Sequence, residues 1–333
     1  MKGPALKRAS LFSAMLMLAM APTVIGAESS SPAGGDKTGQ TPAPAAAPVR
    51  LLKTAAPVTV DGVLDEPCWK AAAPVRVEYA YGKQGVKAQS LPAVVYYTWD
   101  QEYLYVGYET FDTNLRAAGN GEKKGPRGHR REGCRIGGRH DVFEVFVSFN
   151  DPNFFWELHH NALNNFTDIW VTVAPPDSPL ASSTMTTQGI HWAKREYLNE
   201  GKKDHAKTET AVRLKTKKDG KPSTVNNGDD VDSGYVGEMR LPWKSLGAPR
   251  TWLAREESDM HGQTIVLFSA VDNPDLEPRY HHTAPDLEIT GFFHLTAANW
   301  PRYLLIDAKK EPAAANVHKE DYIPLTRRSQ GSP

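Results

Sequence analysis

The chain has 333 residues, 39 Lys and Arg balanced by 39 Asp and Glu, 40% hydrophobic residues and two cysteines. A formal net charge of zero removes any general electrostatic drive toward nucleic acid or an anionic membrane and leaves only local basic patches to consider. Neither cysteine belongs to a CxxC pair, so redox catalysis has no support.

At the N-terminus Lys2, Lys7 and Arg8 precede an apolar run over 11–21, and Gly26 and Ala27 offer small residues for cleavage. This pattern predicts a secretory signal peptide over 1–27. The run is short for a bilayer span, and no later stretch approaches the roughly 20 apolar residues that a spanning helix needs. The mature protein is expected to be soluble, and secreted or periplasmic. Residues 28–48 are Ser, Pro, Ala, Gly and Thr with few large apolar side chains, a composition that predicts a disordered linker. The tail over 309–333 has the same character apart from Tyr322 and Ile323. Residues 49–308 remain as one folded domain.

Within that domain, runs rich in Val, Ile, Tyr, Phe, Trp and Thr alternate with Gly, Asn, Asp and Pro clusters, which predicts an all-β fold. Strands are expected over 91–99, 103–111, 141–149, 154–161, 166–173, 207–214, 234–241 and 263–271, with shorter pieces near Val58, Val77 and Tyr303. So many strands with short links suit an antiparallel β-sandwich, jelly-roll-like, with long loop insertions. Residues 243–246, after Pro242, are expected to form one helical turn. The segment 119–140 carries Lys123, Lys124, Arg127, Arg130, Arg131, Arg135 and Arg139 among glycines and reads as a basic loop, either merely solvated or reaching for an acidic polysaccharide. Asp229, Asp230 and Asp232 are spaced somewhat like calcium ligands without completing an EF-hand loop. Cys68 and Cys134 are a candidate disulfide in an oxidising compartment, with a buried inert thiol as the alternative for Cys68.

The stretch Val60-Asp61-Gly62-Val63-Leu64-Asp65-Glu66-Pro67-Cys68-Trp69 resembles the opening of family-nine carbohydrate-binding modules. Later stretches follow in the order seen there: Tyr97-Thr98-Trp99-Asp100, then Asp141-Val142-Phe143-Glu144-Val145-Phe146-Val147, then Leu158-His159-His160-Asn161-Ala162 and Asp168, and finally Glu238-Met239-Arg240-Leu241-Pro242-Trp243. The resemblance implies a jelly-roll-like sandwich that holds structural calcium and binds the ends of glycan chains without catalysis. It carries Glu144, Asn161 and, by position, His159 over as sugar contacts. It also suggests Asp112 and Asp141 as calcium ligands. The chain departs from the family where two tryptophans would grip a sugar, since 135–140 has no aromatic residue and Phe293 and His294 stand at the second place.

Strand alternation reaches the same neighbourhood from the residues alone. It places Phe143, Val145, Val147 and Phe149 opposite Glu144, and Phe154, Trp156 and Leu158 opposite Glu157, His159 and Asn161. Extended to the next strand, it is expected to put Ile169, Val171 and Val173 in the core and Asp168 and Trp170 with the polar group. A face of Glu144, Glu157, His159, Asn161, Asp168 and Trp170 offers acceptors, donors and an aromatic plate for a polysaccharide or oligosaccharide; the alternative is an ordinary solvent face. Glu144 and Glu157 also fit a glycosidase acid and base, the histidines at 140, 159, 160, 281, 282 and 294 a zinc enzyme without any HExxH spacing, and Met239 a haem ligand or a core side chain. If Asn150-Asp151-Pro152-Asn153 forms a turn, Glu144 and His159 must be direct cross-strand neighbours.

Overall fold

The computed structural model describes residues 48–117, 140–174, 190–194, 208–253, 260–276, 281–284 and 293–310. The expected signal segment, the linker up to residue 47, the basic stretch 119–139, Cys134 and the tail beyond residue 310 lie outside them. All described residues belong to one compact unit, Ala45–Pro333.

Fourteen strands are described: β1 Val49–Leu52, β2 Val75–Val77, β3 Tyr79–Ala80, β4 Ala93–Trp99, β5 Tyr103–Thr110, β6 Val142–Ser148, β7 Phe154–His160, β8 Phe166–Val173, β9 Ile190–Lys194, β10 Glu209–Leu214, β11 Tyr235–Pro242, β12 Thr264–Asp272, β13 His281–Ala284 and β14 Arg302–Ile306. One sheet runs β1-β14-β12-β6-β7-β8-β9, with β13 pairing β12 and β3; the other runs β10-β11-β5-β4-β2. Every ladder is antiparallel except β1 with β14. Short helices are α1 Pro67–Ala71, α2 Trp243–Leu246 and α3 Arg250–Leu253, and Phe293–Asn299 forms a 3-10 segment. The eight longer expected strands are all present to within a residue or two at their ends, and α2 stands where expected. Val58 lies in no strand but is buried against Trp69 and Tyr105, and β1, β3, β9, β13 and α1 were not anticipated.

The main core lies between the two sheets. Val95, Tyr97, Leu104, Val106, Tyr108 and Met239 meet Phe143, Val145, Val147, Trp156 and Leu158, all buried. Tyr108 stacks on Phe143 at a centroid separation of 3.7 Å. Each such large side chain contributes about 1.5–3 kcal/mol through removal from water. Met239 is thus a core side chain, which corrects its haem-ligand reading.

The larger sheet is apolar on its outer face as well. There Phe146, Phe155, Ile169, Val171, Val266 and Phe268 pack beneath Ala297 and Trp300, with Phe268 and Trp300 stacked at 4.8 Å. Two apolar faces explain why every residue of β6 is buried. They also overturn the expected placement in β8: Asp168 and Trp170 pair opposite Leu158 and Trp156 and share their face, whereas Ile169 pairs opposite Glu157 and Val171 opposite Phe155. The expectation assumed one apolar face per strand, and β8 has two.

The N-terminal stretch closes over the outer face of the smaller sheet. Glu238 of β11 accepts hydrogen bonds from the backbone N–H groups of Asp61 (2.9 Å) and Gly62 (2.7 Å) and from the Trp69 indole (3.1 Å). Gly62 has φ +83°, and a Cβ there would lie 2.9 Å from the Arg213 backbone nitrogen, so both the turn and the close approach require glycine. The two most recognisable motifs of the sequence therefore form one latch. Cys68, partly buried beside it, is a free thiol, and burial raises its pKa.

Candidate functional site

The hairpin between β6 and β7 sets the register of the site. Asn150 adopts φ 62°, Asp151 Oδ1 accepts from Asn153 N at 2.9 Å, and Asp151 O accepts from Phe154 N at 3.3 Å. Val147 then pairs with Trp156, Val145 with Leu158 and Glu144 with His159, the neighbours that the turn predicted. A slip of one residue would turn Phe143, Val145 and Val147 out of the main core, which fixes the pairing.

Side by side on the outer face of the larger sheet, β12, β6, β7 and β8 contribute Ala270, Glu144, His159 and Thr167 in one row, and Phe268, Phe146, Glu157 and Ile169 in the next. Beyond the first row lie Asp272, opposite Val142, and Asn161, which follows β7. One end of the face is therefore polar and the other apolar. Glu144, Glu157, His159, Asn161, Thr167 and Asp272 are all buried, so this is not the ordinary solvent face that the alternation allowed. Of the six expected sugar-site residues, the fold brings together Glu144, Glu157, His159 and Asn161. Asp168 is buried on the opposite face, and Trp170 stands half-exposed beside Phe154 there.

His159 is the hub. Its Nε2 lies 2.8 Å from Glu157 Oε1 and 3.7 Å from Glu144 Oε1. Burial opposes charging of the imidazole, but the bond to Glu157 and the nearby carboxylates of Glu144, Glu157 and Asp272 outweigh it and raise the His159 pKa. Glu157 shows the converse balance: burial alone would raise its pKa, while hydrogen bonds from His159 and His294 bring it below the usual carboxylate range. His294, carried in by the 3-10 segment, holds Glu157 Oε2 at 2.9 Å. Both Glu157 oxygens are thus engaged and the group is held ionised, which leaves it unsuited to protonate a glycosidic oxygen. Its geometry is that of an anchor for the covering segment. The sequence singles out His294 at the place of the second family tryptophan and among the candidate zinc histidines, but nothing local signals its contact to Glu157.

Among the described residues, His159 Nδ1, Asn161 Nδ2 and Thr167 Oγ1 on this end have no hydrogen-bond partner. With Nε2 on a carboxylate, Nδ1 is an N–H donor whenever the ring is charged, the form that the raised pKa favours. Asn161 Oδ1 accepts from the N–H groups of Leu163 (3.1 Å) and Asn165 (3.2 Å), which orients its amide nitrogen as a donor. His160, one residue from His159, faces the main core. Its Nδ1 lies 2.9 Å from the Tyr108 hydroxyl and its Nε2 2.7 Å from Asn164 Oδ1, and burial lowers its pKa to about 4. Adjacent histidines on opposite faces are thus shifted in opposite senses.

At the start of β6 lies a carboxylate pair. Asp112 and Asp141, both buried, are within hydrogen-bonding reach of one another, with Asn273 beside Asp112 and the Asp275 charge acting on both. Burial and the Asp112 charge push Asp141 up to about 9. Asp141 Oδ2 accepts from Arg116 N, while Oδ1 has no hydrogen-bond donor. Two buried carboxylates with a free oxygen and a neighbouring amide suit a hard, oxygen-preferring divalent cation. Among the described residues no group of three or more His, Cys, Asp or Glu side chains is placed to hold a metal, so such a cation would draw its remaining ligands from amide or backbone oxygens. The Asp230–Asp232 loop does not offer one: Asp230 pairs with Lys217 and accepts from Thr224 Oγ1 at 3.0 Å, and Asp232 accepts from Leu115 N at 2.9 Å and Thr224 N at 2.7 Å. No helix of the described residues is long and apolar enough to cross a membrane.

No protein-family model and no curated protein matches the chain. Among solved structures, the chain is similar to a family-nine carbohydrate-binding module from Caldicellulosiruptor kristjanssonii in complex with glucose, at 15% identity over 78% of this chain and 96% of that one, with a TM-score of 0.43. It is similar at 14% identity to one from the same organism in complex with cellotriose, over 83% and 98% of the two chains, again with a TM-score of 0.43. At that level of likeness the all-β sandwich rests on the strand ladders of this chain itself.

Proposed function

We propose that the chain binds carbohydrate through the polar end of the outer face of its larger sheet and performs no catalysis there. The observation that carries this reading is the set of three buried polar atoms, His159 Nδ1, Asn161 Nδ2 and Thr167 Oγ1, left without hydrogen-bond partners among the described residues beside the Glu144 carboxylate. A stranded buried donor costs about 1–3 kcal/mol, and a sugar presents closely spaced hydroxyls that both accept and donate. In this role Glu144 accepts from a hydroxyl, His159 and Asn161 donate, and Glu157 positions His159. His294, on Glu157 at 2.9 Å, borders this end. Capture of a polysaccharide, as a step toward its breakdown, is part of the same proposal.

A glycan array with the full chain tests the reading, followed by calorimetry on the tightest glycan. Glu144→Gln is expected to weaken binding about tenfold, the worth of one charge-assisted hydrogen bond, with the melting temperature nearly unchanged. Unchanged affinity, or no glycan retained at millimolar concentration with calcium present, refutes it.

We propose in addition that Asp112 and Asp141 hold a structural calcium ion, on the strength of their mutual burial and the donor-free Asp141 Oδ1. Export directed by residues 1–27 belongs to the same reading; an exported protein that still begins at Met1 would overturn it.

A further inference from the structure

On the other side of the molecule, a cavity of about 510 Å³ opens on the outer face of the smaller sheet, between residues 53–57 and the β4–β5 hairpin. Its volume falls in the range of small-molecule sites. The floor and walls include Tyr103, Tyr105 and Arg240, and the rim carries Lys53, Asp100 and Glu102. The rim is prebuilt: Asp100 Oδ1 accepts from the N–H groups of Glu102 (2.8 Å) and Tyr103 (2.7 Å), and Oδ2 accepts from the Tyr105 hydroxyl (2.6 Å). Arg240 lies over the Tyr103 ring at 5.0 Å and pairs through Nη2 with the half-exposed Glu209. Its Nε is buried and has no acceptor among the described residues. Lys53 is engaged by Asp307 at 3.0 Å.

The charges decide the class of ligand. Two cations and two carboxylates line the cavity, and Asp307 and Glu209 stand behind the two cations, so neither an anion nor a cation gains from the whole. A neutral ligand with many hydroxyls does gain, because it can accept from the guanidinium, donate to the rim carboxylates and lay C–H groups against a tyrosine. We propose that this cavity is a second carbohydrate subsite, taking one neutral pyranose residue between Arg240, Tyr103 and the 100–103 hairpin. It lies on the opposite sheet from the Glu144–His159 end, so it does not rest on that site. With both occupied, one molecule would hold two glycan segments at once and gain avidity without any new contact.

The test uses the full chain with ring-labelled tyrosines and histidines, titrated by NMR with glucose, galactose, mannose and xylose at millimolar concentration. At least one hexose or pentose is expected to shift the ring resonances of both Tyr103 and Tyr105, which line the cavity, saturably. Read at Tyr105, Arg240→Gln should weaken that titration roughly tenfold, the worth of one charge-assisted hydrogen bond, and Tyr103→Phe should preserve it where Tyr103→Ala does not. Absence of any shift at Tyr103 and Tyr105, or Tyr105 shifts that survive both Arg240→Gln and Tyr103→Ala, overturns the subsite. The His159 resonances, followed in the same titration, report the other site, so failure of one is distinguished from failure of the other. If Arg240→Gln lowers the melting temperature, the contrast between Tyr103→Phe and Tyr103→Ala decides alone.

Discussion

Replacing Glu238 probes how the N-terminal stretch is held. The carboxylate is buried and accepts from Asp61 N, Gly62 N and Trp69 Nε1. Asp61 is exposed enough to turn its N–H to water, but Gly62 and Trp69 are buried. Glu238→Ala therefore strands two buried donors at about 1–3 kcal/mol each, for a loss of about 4 kcal/mol. In a domain of this size that lowers the melting temperature by roughly 10 °C. Glu238→Gln should cost much less. Burial raises the Glu238 pKa in spite of its three donors, so the charged form is disfavoured relative to water. The group's contribution is full below its ordinary value of 4.5 and declines as pH rises through the folded pKa. A neutral amide oxygen retains part of the acceptor role, and a cost near 1 kcal/mol is expected. Urea unfolding of both variants at neutral pH is the assay. A Glu238→Ala loss below 1 kcal/mol, or a Gln variant as damaged as the Ala variant, would show that the latch is not what secures the motif.

The two adjacent histidines should titrate in opposite senses. His160, neutral with a folded pKa of about 4 against an ordinary 6.5, contributes stability that is full above pH 6.5 and is lost as pH falls toward 4, about 3 kcal/mol in all. His159 has a raised pKa and contributes below pH 6.5, with loss as pH rises through its folded value; its partner Glu157 has a lowered pKa and contributes above pH 4.5. At pH 6, imidazole NMR should show His160 neutral and His159 charged; the reverse order refutes the assignment. Exhaustive chelation should lower the melting temperature if calcium binds the native state selectively, and Asp141→Asn should abolish that response. A melting temperature unmoved by chelation removes the ion from the account.

The eight longer strands and the β6–β7 register were legible because turn chemistry and period-two alternation act locally. Asn150 tolerates a positive φ, the loop length is fixed, and burial of Phe143, Val145 and Val147 forbids a slip. What was not legible was the second core. Ile169 and Val171 look like any core-facing pair, and nothing in β8 says that Trp300, far along the chain, supplies a second apolar layer for them. The same long-range closure brought His294 onto Glu157 and turned an apparent solvent face into a buried one. Conversely, the motifs Asp61–Trp69 and Glu238–Trp243 were legible as signatures but not as partners. Only the fold shows that the Glu238 side chain holds the other stretch in place.

The buried polar end is costly, and the cost argues that it is kept for a ligand. Two residues from Glu144 along β6 and four from His159 along β7, the same face is filled by Phe146 and Phe155, and apolar side chains there would stabilise the sheet as well as or better than a buried charge network. Thr167 is the cleanest place to weigh this. It sits opposite His159, is buried, and its hydroxyl has no hydrogen-bond partner. Thr167→Val keeps the shape and removes the hydroxyl, so a chain shaped only for stability should gain about 1 kcal/mol. If the hydroxyl serves a sugar, the same variant should lose severalfold in glycan affinity while it gains in urea resistance. Stability and binding moving in opposite directions would mark a site maintained against the interest of the fold. A variant that is both less stable and equally able to bind would mean that the hydroxyl is structural, and the polar end would lose its place as the binding surface.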